Sequence, residues 1–538
     1  MMEESAVEVR LAQEEDVGAI REIFLLTYGE DYPYNQFYDE RLLKKVVYSD
    51  NYLFLVATVA GRVAGAGAIY FDVGSYTDLL GEFGRLVVHP EFRHRGIGKR
   101  LMEARLQFAE ARLQFGYIEG RTEHPFAQRI AEEFGFAPLG FAPQKFRVHG
   151  RESLALMGKL FGNAQALRRN NPRIIPEAYP LAASVLTGMG LPNDLIPIEE
   201  SEGYPFQGEF ELESLEERGI PNLLRIERGR LKRREIFGNM MLSYGQFLLQ
   251  ARKASYLVAK RDGVILGAIG YIHDALGKTL RIFEMIDVSD NVSGYLLCEL
   301  ERRAREEMGV AYAEVSVSAY WPQMQRTLEQ LGFCPVAYFP AYVFRGVERL
   351  DAILMVKLNI PFDPGEVKLT PAMEKMYDIV VHNFREKRIG IAIGAFARSL
   401  DIFDGLTDSQ VRKISAVCKL KNVEQGALIF QQGEVDRNLY MVSDGHVDIV
   451  LGNEATPVGT VQAGDVLGEI SLTSGAPHVA TAIAGSNVQL VVLRHRDFDT
   501  LIQQNPRIGL QVMQNIARSL GNKLKTTNQA VSQLYTQD

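Results

Sequence analysis

Apolar and polar positions change period along the chain. Residues 7–11 (Val-Glu-Val-Arg-Leu) alternate as an edge strand does, and Glu14, Glu15 and Asp16 then open helical spacing through Phe24. Residues 52–60 and 63–71 read as strands joined by a turn at Gly61-Arg62, and residues 82–88 as a further strand that stops at His89-Pro90. Helical spacing resumes from Lys99 to Phe115; residues 117–122 read as a strand and 125–134 as a short helix. Part of this pattern recurs. Residues 256–260, a turn at Arg261-Asp262-Gly263 and residues 264–272 repeat the hairpin. Trp321-Pro322-Gln323-Met324-Gln325-Arg326 to Leu331-Gly332-Phe333 keeps the spacing of His124-Pro125-Phe126-Ala127-Gln128-Arg129 to Phe134-Gly135-Phe136. After Pro361, Pro364, Gly365 and Pro371, a helix through about residue 388 gives way to short strands at 427–431, 439–442, 447–451 and 489–493, broken by glycine turns. Short, regularly spaced strands predict a β-roll or jelly roll. Beyond Pro506, Ile508, Val512, Ile516, Leu520 and Leu524 fall on one helical face, suited to packing or to pairing two subunits as a homodimer.

The 538 residues are too many for one core. The predicted fold class is α+β multidomain. Two mixed αβ segments span 5–160 and 175–360, a linker and helix 361–394, and a β-roll with flanking helices 395–538. Apolar residues at 46% and charged residues at 23% are ordinary for a soluble protein, and the net charge of −8 argues against nucleic acid or an anionic membrane as partner. The acidic start, Met-Met-Glu-Glu-Ser, lacks the features of a signal peptide, so the expected compartment is the cytoplasm. Cys298, Cys334 and Cys418 are isolated and predict neither a metal site nor a disulfide framework.

The densest candidate chemistry is Leu86-Val87-Val88-His89-Pro90-Glu91-Phe92-Arg93-His94-Arg95-Gly96-Ile97-Gly98-Lys99. A strand, a basic glycine-containing loop and a helix N-terminus make an anion site, because first-turn amides are unpaired and the helix dipole favours negative charge. A dinucleotide fingerprint is excluded by Leu101 where its third glycine belongs, and a Walker loop is absent. Arg93 to Gly98 does match R/Q-x-x-G-x-G/A. With His124 to Phe136 downstream, the segment resembles the GNAT superfamily of N-acetyltransferases, whose fold follows the order β-α-β-β-β-α-β-α-β. The resemblance implies acetyl-CoA as cosubstrate, held by Leu86, Val87, Val88, Arg93, His94, Arg95, Gly96, Ile97, Gly98, Lys99 and His124. It also offers Glu82 as the catalytic base, the plain alternative being a surface carboxylate on a strand. The family's frequent tyrosine acid falls at Ala131, leaving another tyrosine, water, or no catalysis. Tyr28, Tyr32, Tyr34 and Tyr38 beside Glu30, Asp31, Asp39 and Glu40 would suit a cationic amine, a protein lysine or a small amine, or form a plain solvated face.

Residues 175–360 resemble the same fold in degenerate form. Aligning residues 291–296 on the loop keeps Gly294, loses every arginine and leaves Asp287 and Asp290 nearby, so this half reads as non-catalytic. The basic run Arg225, Arg228, Arg230, Lys232, Arg233 and Arg234, interleaved with Glu227 and Glu235, reads as a solvated face. Phe430 to Glu434, Leu439 to Gly445 and Gly468-Glu469-Ile470-Ser471-Leu472 leading to His478-Val479 resemble a cyclic-nucleotide-binding domain. That resemblance implies a nucleotide site at Gly468, Glu469, Ile470, Ser471, His478 and Val479. His478 stands where the family's phosphate-binding arginine belongs, and imidazole lacks the guanidinium fork. The favoured reading is therefore the fold without cyclic nucleotide; amide-only binding of one as effector, or a different ligand, is the alternative. No room remains for a helix-turn-helix. The combined expectation is an acetyl-CoA-dependent N-acetyltransferase modulated by its C-terminal domain; the competing one is a non-catalytic sensor or scaffold.

Overall fold

The computed structural model describes residues 6–535 apart from 31, 33, 72–76, 149, 216–218, 230–233, 239–253, 289 and 453–455. The chain divides into two compact units, 1–384 and 385–538, so the segments 5–160 and 175–360 share one unit. That first unit is built on a single 15-stranded sheet.

Its first half runs β1 (Val7–Leu11), α1 (Val17–Tyr28), α2 (Glu40–Val47), β2 (Tyr52–Val59), β3 (Arg62–Tyr70), β4 (Leu80–Val88), α3 (Ile97–Glu110), β5 (Phe115–Arg121), α4 (Phe126–Glu133), β6 (Ala137–Arg147) and β7 (Arg151–Leu160). Helix α2, which the sequence reading did not separate, starts where the Asp39 side chain accepts from the amides of Arg41 and Leu42. Helix α3 starts two residues before Lys99, at Ile97, because Gly96 in the left-handed region caps it. It stops at Glu110, and β5 is already under way at Phe115.

The second half opens with the short ribbon β8 (Arg173–Ile174) and β9 (Ile196–Pro197) around α5 (Tyr179–Gly188). It continues β10 (Glu211–Ser214), α6 (Ile220–Gly229), β11 (Ile236–Phe237), β12 (Ser255–Arg261), β13 (Val264–Asp274), β14 (Thr279–Asp287), α7 (Asp290–Glu306), β15 (Tyr312–Ser318), α8 (Pro322–Gln330), β16 (Cys334–Arg345) and β17 (Glu348–Leu358). Of the basic run, Arg230, Lys232 and Arg233 lie outside the described residues, as does Asp31 of the acidic group. Arg234 is not on a solvated face: its Nη2 donates to Gly238 O at 3.2 Å.

Strand order across the sheet is β1-β2-β3-β4-β5-β7-β6-β16-β17-β15-β14-β13-β12-β10, which reads as a motif followed by its reverse. The halves meet where β6 pairs with β16 at Gly140 and Ala337. A Cβ on Gly140 would stand 2.0 Å from Val336 O, so this junction requires glycine.

Small devices repeat with the strands. Both β6 and β16 carry a bulge whose residue has positive φ, Gln144 and Ala341. The Gln144 amide donates to Ser153 Oγ at 3.2 Å, and the Ala341 amide to Asp351 Oδ1 at 2.8 Å. Arg151 and Arg349 donate to the carbonyls of these bulge residues, at 2.9 and 2.6 Å. Each arginine then crosses to the other half: Arg151 to Gly277 O and Arg349 to Asp78 O, both at 2.6 Å.

The connecting segments are exchanged in the same way. Gln128 on α4 donates to Lys368 O at 3.1 Å and accepts from the Thr370 amide at 3.1 Å. Its counterpart Gln325 on α8 donates to Arg173 O at 3.2 Å and accepts from the Ile175 amide at 3.0 Å. The segment leaving each half thus docks on the other.

After the linker, α9 (Pro371–Ala397) begins in the first unit's core through Met373, Met376, Val380 and Phe384. Its last turns contribute Ile393 and Ala397 to the second unit's core. That unit continues with α10 (Asp408–Val417), β18 (Cys418–Val423), β19 (Leu428–Phe430), β20 (Leu439–Asp444), β21 (His446–Val450), β22 (Gly459–Gln462), β23 (Val466–Leu467), α11 (Glu469–Ser474), β24 (Thr481–Ala484), β25 (Val488–Leu493), α12 (His495–Gln504) and α13 (Pro506–Tyr535). Two four-stranded sheets, β18-β25-β20-β23 and β19-β24-β21-β22, form the β-roll. Ile508, Val512 and Ile516 of α13 are buried in its helical core, whereas Leu524 is exposed.

Candidate functional site

Strand β4 positions the first site. It pairs in parallel with β5 at Leu80–Phe115, Gly81–Gly116 and Glu82–Tyr117. Beyond that point no described segment pairs between them, so the two strands part and leave a cleft. Leu86 and Val88 of β4 are half-buried, whereas Val87 turns into the core against α1. Past the strand end, Arg93, His94, Arg95 and Gly96 are all exposed, with His94 and Gly96 in the left-handed region. Ile97 anchors the helix start in the core. A Cβ on Gly96 would meet nothing, and one on Gly98 only the side chains of Ile130 at 3.2 Å and Leu86 at 3.9 Å. Among the described residues no acceptor outside the helix meets the amides of Ile97, Gly98 or Lys99. Among the described residues neither Arg93 nor Arg95 has an ion-pair partner, while Lys99 pairs with Glu133 at 2.6 Å. His124 is exposed just before α4, its ring 5.0 Å from that of Phe126.

The same cleft in the second half is shut. Residues 291–296, expected as a degraded loop, lie inside α7, which starts at Asp290 almost directly after β14. Asp287 accepts from Ser293 Oγ. A Cβ on Gly294 would stand 2.3 Å from Pro205 O, so residues 204–205 cover the helix start. Between β14 and β15 the chain inserts β11, pairing Ile236 with Val317 and Phe237 with Ser316, and Gly238 is pressed against Phe283. At the site equivalent to the β4–β5 cleft, the protein fills its own pocket.

Glu82 is half-buried and ion-paired by Arg85, which the positive φ at the β4 bulge brings to the same face. The Arg85 guanidinium lies 4.8 Å from the Tyr34 ring centre and 5.6 Å from that of Tyr70. Phe24 stacks on Phe37 and Tyr28 on Tyr32, with Tyr32 edge-on to Phe37, in a packed aromatic cluster, while Asp39 is spent on its helix cap. The tyrosine-and-acid segment is thus mainly structural, with Tyr34 as its edge toward Glu82. Ala131 is fully buried on the inner side of α4. Sequence reasoning missed Tyr117, the strand partner of Glu82; burial pushes its hydroxyl well above the usual tyrosine range, so it stays protonated.

In the β-roll, Gly468 in the left-handed region opens α11. Glu469 accepts from Lys523 of α13 at 2.5 Å. His478 is buried, stacked 3.7 Å from the Phe430 ring centre, with Nδ1 3.2 Å from Ser471 Oγ and no partner for Nε2 among the described residues. Burial lowers its pKa, which favours the neutral ring. Ile470 and Val479 point outward, Val479 being 61% exposed. No group of His, Cys, Asp and Glu among the described residues could hold a metal ion, and no described helix is long and apolar enough to cross a membrane.

Comparison with known proteins fits both geometries. Residues 17–136 match the acetyltransferase (GNAT) family and residues 420–505 the cyclic nucleotide-binding domain. Among curated proteins the chain is 28% identical over 122 residues to the cyclic AMP receptor protein of Thermus thermophilus, covering 22% of this chain and 56% of that one. It is 27% identical over 107 residues to a cAMP-dependent protein kinase regulatory subunit of Colletotrichum orbiculare, covering 20% of this chain and 27% of that one. These matches span well under two thirds of either relative. A crystal structure of a cyclic nucleotide-binding domain from Methylobacillus flagellatus aligns with TM-score 0.25 at 17% identity, over 27% of this chain and 83% of that one. The chain carries a GNAT-family acetyltransferase domain in its first unit and a cyclic nucleotide-binding domain in its second.

Proposed function

We propose that the first unit transfers acetyl from acetyl-CoA to an amine. One observation carries this reading: an open cleft between β4 and β5 with the unpaired amides and arginines of the 93–98 loop at one end and Glu82 at the other. Acetyl-CoA supplies the activated thioester. The amides of Ile97, Gly98 and Lys99 with Arg93 and Arg95 hold its diphosphate; Leu86 and Val88 border its path along β4, and His124 stands at the far side of the cleft. Arg85 donates to Oε1 of Glu82, and among the described residues no donor meets Oε2. That oxygen accepts the amine proton, directly or through a water. Tyr117, kept protonated beside Glu82, gives a proton to the departing thiolate in place of the tyrosine absent at Ala131. In the full chain, Glu82→Gln lowers the rate of thiol release with little change in acetyl-CoA affinity, and Tyr117→Phe lowers it further under the same assay. An unchanged rate in Glu82→Gln places the base elsewhere.

The second unit, which carries the cyclic nucleotide-binding domain, modulates this activity. The buried Ala131 favours a second reading, a non-catalytic acetyl-CoA sensor, which the same thiol-release assay separates from the first.

A further inference from the structure

The register of the two halves assigns counterparts. Glu82 pairs with Tyr117 in the β4–β5 contact, and Arg281 pairs with Glu314 in the β14–β15 contact, at the corresponding rung. The position of the candidate base in one half is an arginine in the other. Tyr117 of the first rung and both members of the second line one cavity of about 60 Å³, together with Asp78, Glu119, Lys145 and Tyr342.

The charges there alternate. Lys145 bridges Glu119 at 2.7 Å and Glu314 at 3.1 Å, and Arg281 Nε holds Glu314 at 2.7 Å. Between them Lys145 and Arg281 hold the Glu314 carboxyl down to about 2, so it is ionised at neutral pH. On the same face Arg121 neutralises Glu152 at 2.8 Å and Arg85 neutralises Glu82. Glu119, Glu152 and Glu314 are thus each paired with a cation, and Glu82 is paired through one oxygen. The Arg281 side chain is 50% exposed and spends only Nε on Glu314. Arg281 lines the cavity with Tyr117, and its remaining guanidinium donors can serve an anion there.

We propose that the second half, shut to its own cofactor, serves as the acceptor half of the site, with Arg281 binding a carboxylate carried by the amine that Glu82 deprotonates. The inference rests on the acetyl-transfer reading above. It replaces the cationic acceptor expected from Tyr28 to Glu40 with an amino acid or another carboxylate-bearing amine.

The test uses the full chain with acetyl-CoA and matched pairs: L-lysine with cadaverine, L-glutamate with 4-aminobutyrate, L-tyrosine with tyramine. The wild type is expected to favour the member bearing the α-carboxylate in at least one pair. Arg281→Gln is expected to reduce that kcat/KM preference about tenfold or more through KM. Arg281→Lys, which keeps the charge without the fork, falls between. An unchanged preference in Arg281→Gln, or a wild type that favours the decarboxylated member throughout, overturns the proposal. If no pair is acetylated, the transfer reading fails on this panel and the anchor is read by thermal shift with the same compounds. A rise in Tm with an amino acid in wild type but not in Arg281→Gln upholds it, and equal shifts refute it.

Discussion

If the 93–98 loop is the chain's acetyl-CoA site, its arginines can be removed with a calculable loss. A guanidinium–phosphate bond is charge-assisted and worth about 1.5–3 kcal/mol when shielded from water. Arg93 and Arg95 are exposed, so solvent screening reduces each to about 1–1.5 kcal/mol. The pair then contributes about 2–3 kcal/mol, and Arg93→Ala with Arg95→Ala weakens acetyl-CoA roughly thirty- to hundred-fold. Binding is not abolished, because the amides of Ile97 to Lys99 remain and Gly96 still holds the turn. Lys99 adds less, being engaged by Glu133. Calorimetry on the full chain should show one site per chain in the wild type, and the same single, weaker site in the double variant, with steeper loss at high salt in the wild type. A stoichiometry of two refutes the reading of the second cleft as filled, and a Kd unchanged by the double substitution refutes the loop assignment.

Three further outcomes follow from buried charge. Asp351→Ala leaves Arg168 without the carboxylate it holds at 2.7 Å and Tyr338 without its acceptor, and should cost about 3–5 kcal/mol in urea unfolding; a loss below about 1 kcal/mol contradicts it. Glu314, held down to about 2 against an ordinary 4.5, contributes on the order of 3 kcal/mol that is fully present above pH 4.5 and lost as pH falls toward 2. Glu314→Gln should therefore flatten the acid limb of the stability curve, and an unaltered limb refutes the assignment. In the second unit, His478→Arg with Lys523→Ala restores a guanidinium and frees Glu469, so cyclic AMP measured by calorimetry should bind this variant more tightly than wild type; equal affinity would show that the lost fork and the Lys523 tether are not what limits the site.

Much of this was legible in residue order, because the deciding signals are local. The strand end at His89-Pro90, the glycine-capped helix after Arg95 and the matched Gly135 and Gly332 stops each depend on a few adjacent residues. What escaped depends on pairing at a distance. Nothing between residues 204 and 238 announces that it fills the cleft of its own half, since that follows only once β11 is seen against β15. Residues 291–296 read as a degraded loop because Gly294 lines up with Gly96, whereas the structure starts a helix at Asp290 with no such loop before it. Tyr117 reads as one aromatic on a strand until its rung with Glu82 is known. The tyrosines near residue 32 read as an acceptor rim or a solvated face, whereas Tyr32 packs against Phe24 and Phe37 inside the core.

The exchanged segments explain why a half with a closed cofactor cleft is retained. Gln128 of the first half is buried, and two of its hydrogen bonds go to Lys368 and Thr370, which follow the second half in sequence. Phe141 likewise packs edge-on against Tyr377, with ring centres 5.1 Å apart. Cutting the chain after residue 160 would strip these partners and expose the Gly140–Ala337 junction along a free strand edge. The first half is therefore not a detachable enzyme with an ornament behind it. Its fold needs the second half, and once that dependence is fixed the second half's own cofactor cleft is free to be filled while its charged rung, Arg281 with Glu314, stays turned toward the shared cavity. Loss of the loop and retention of the rung are two consequences of one arrangement.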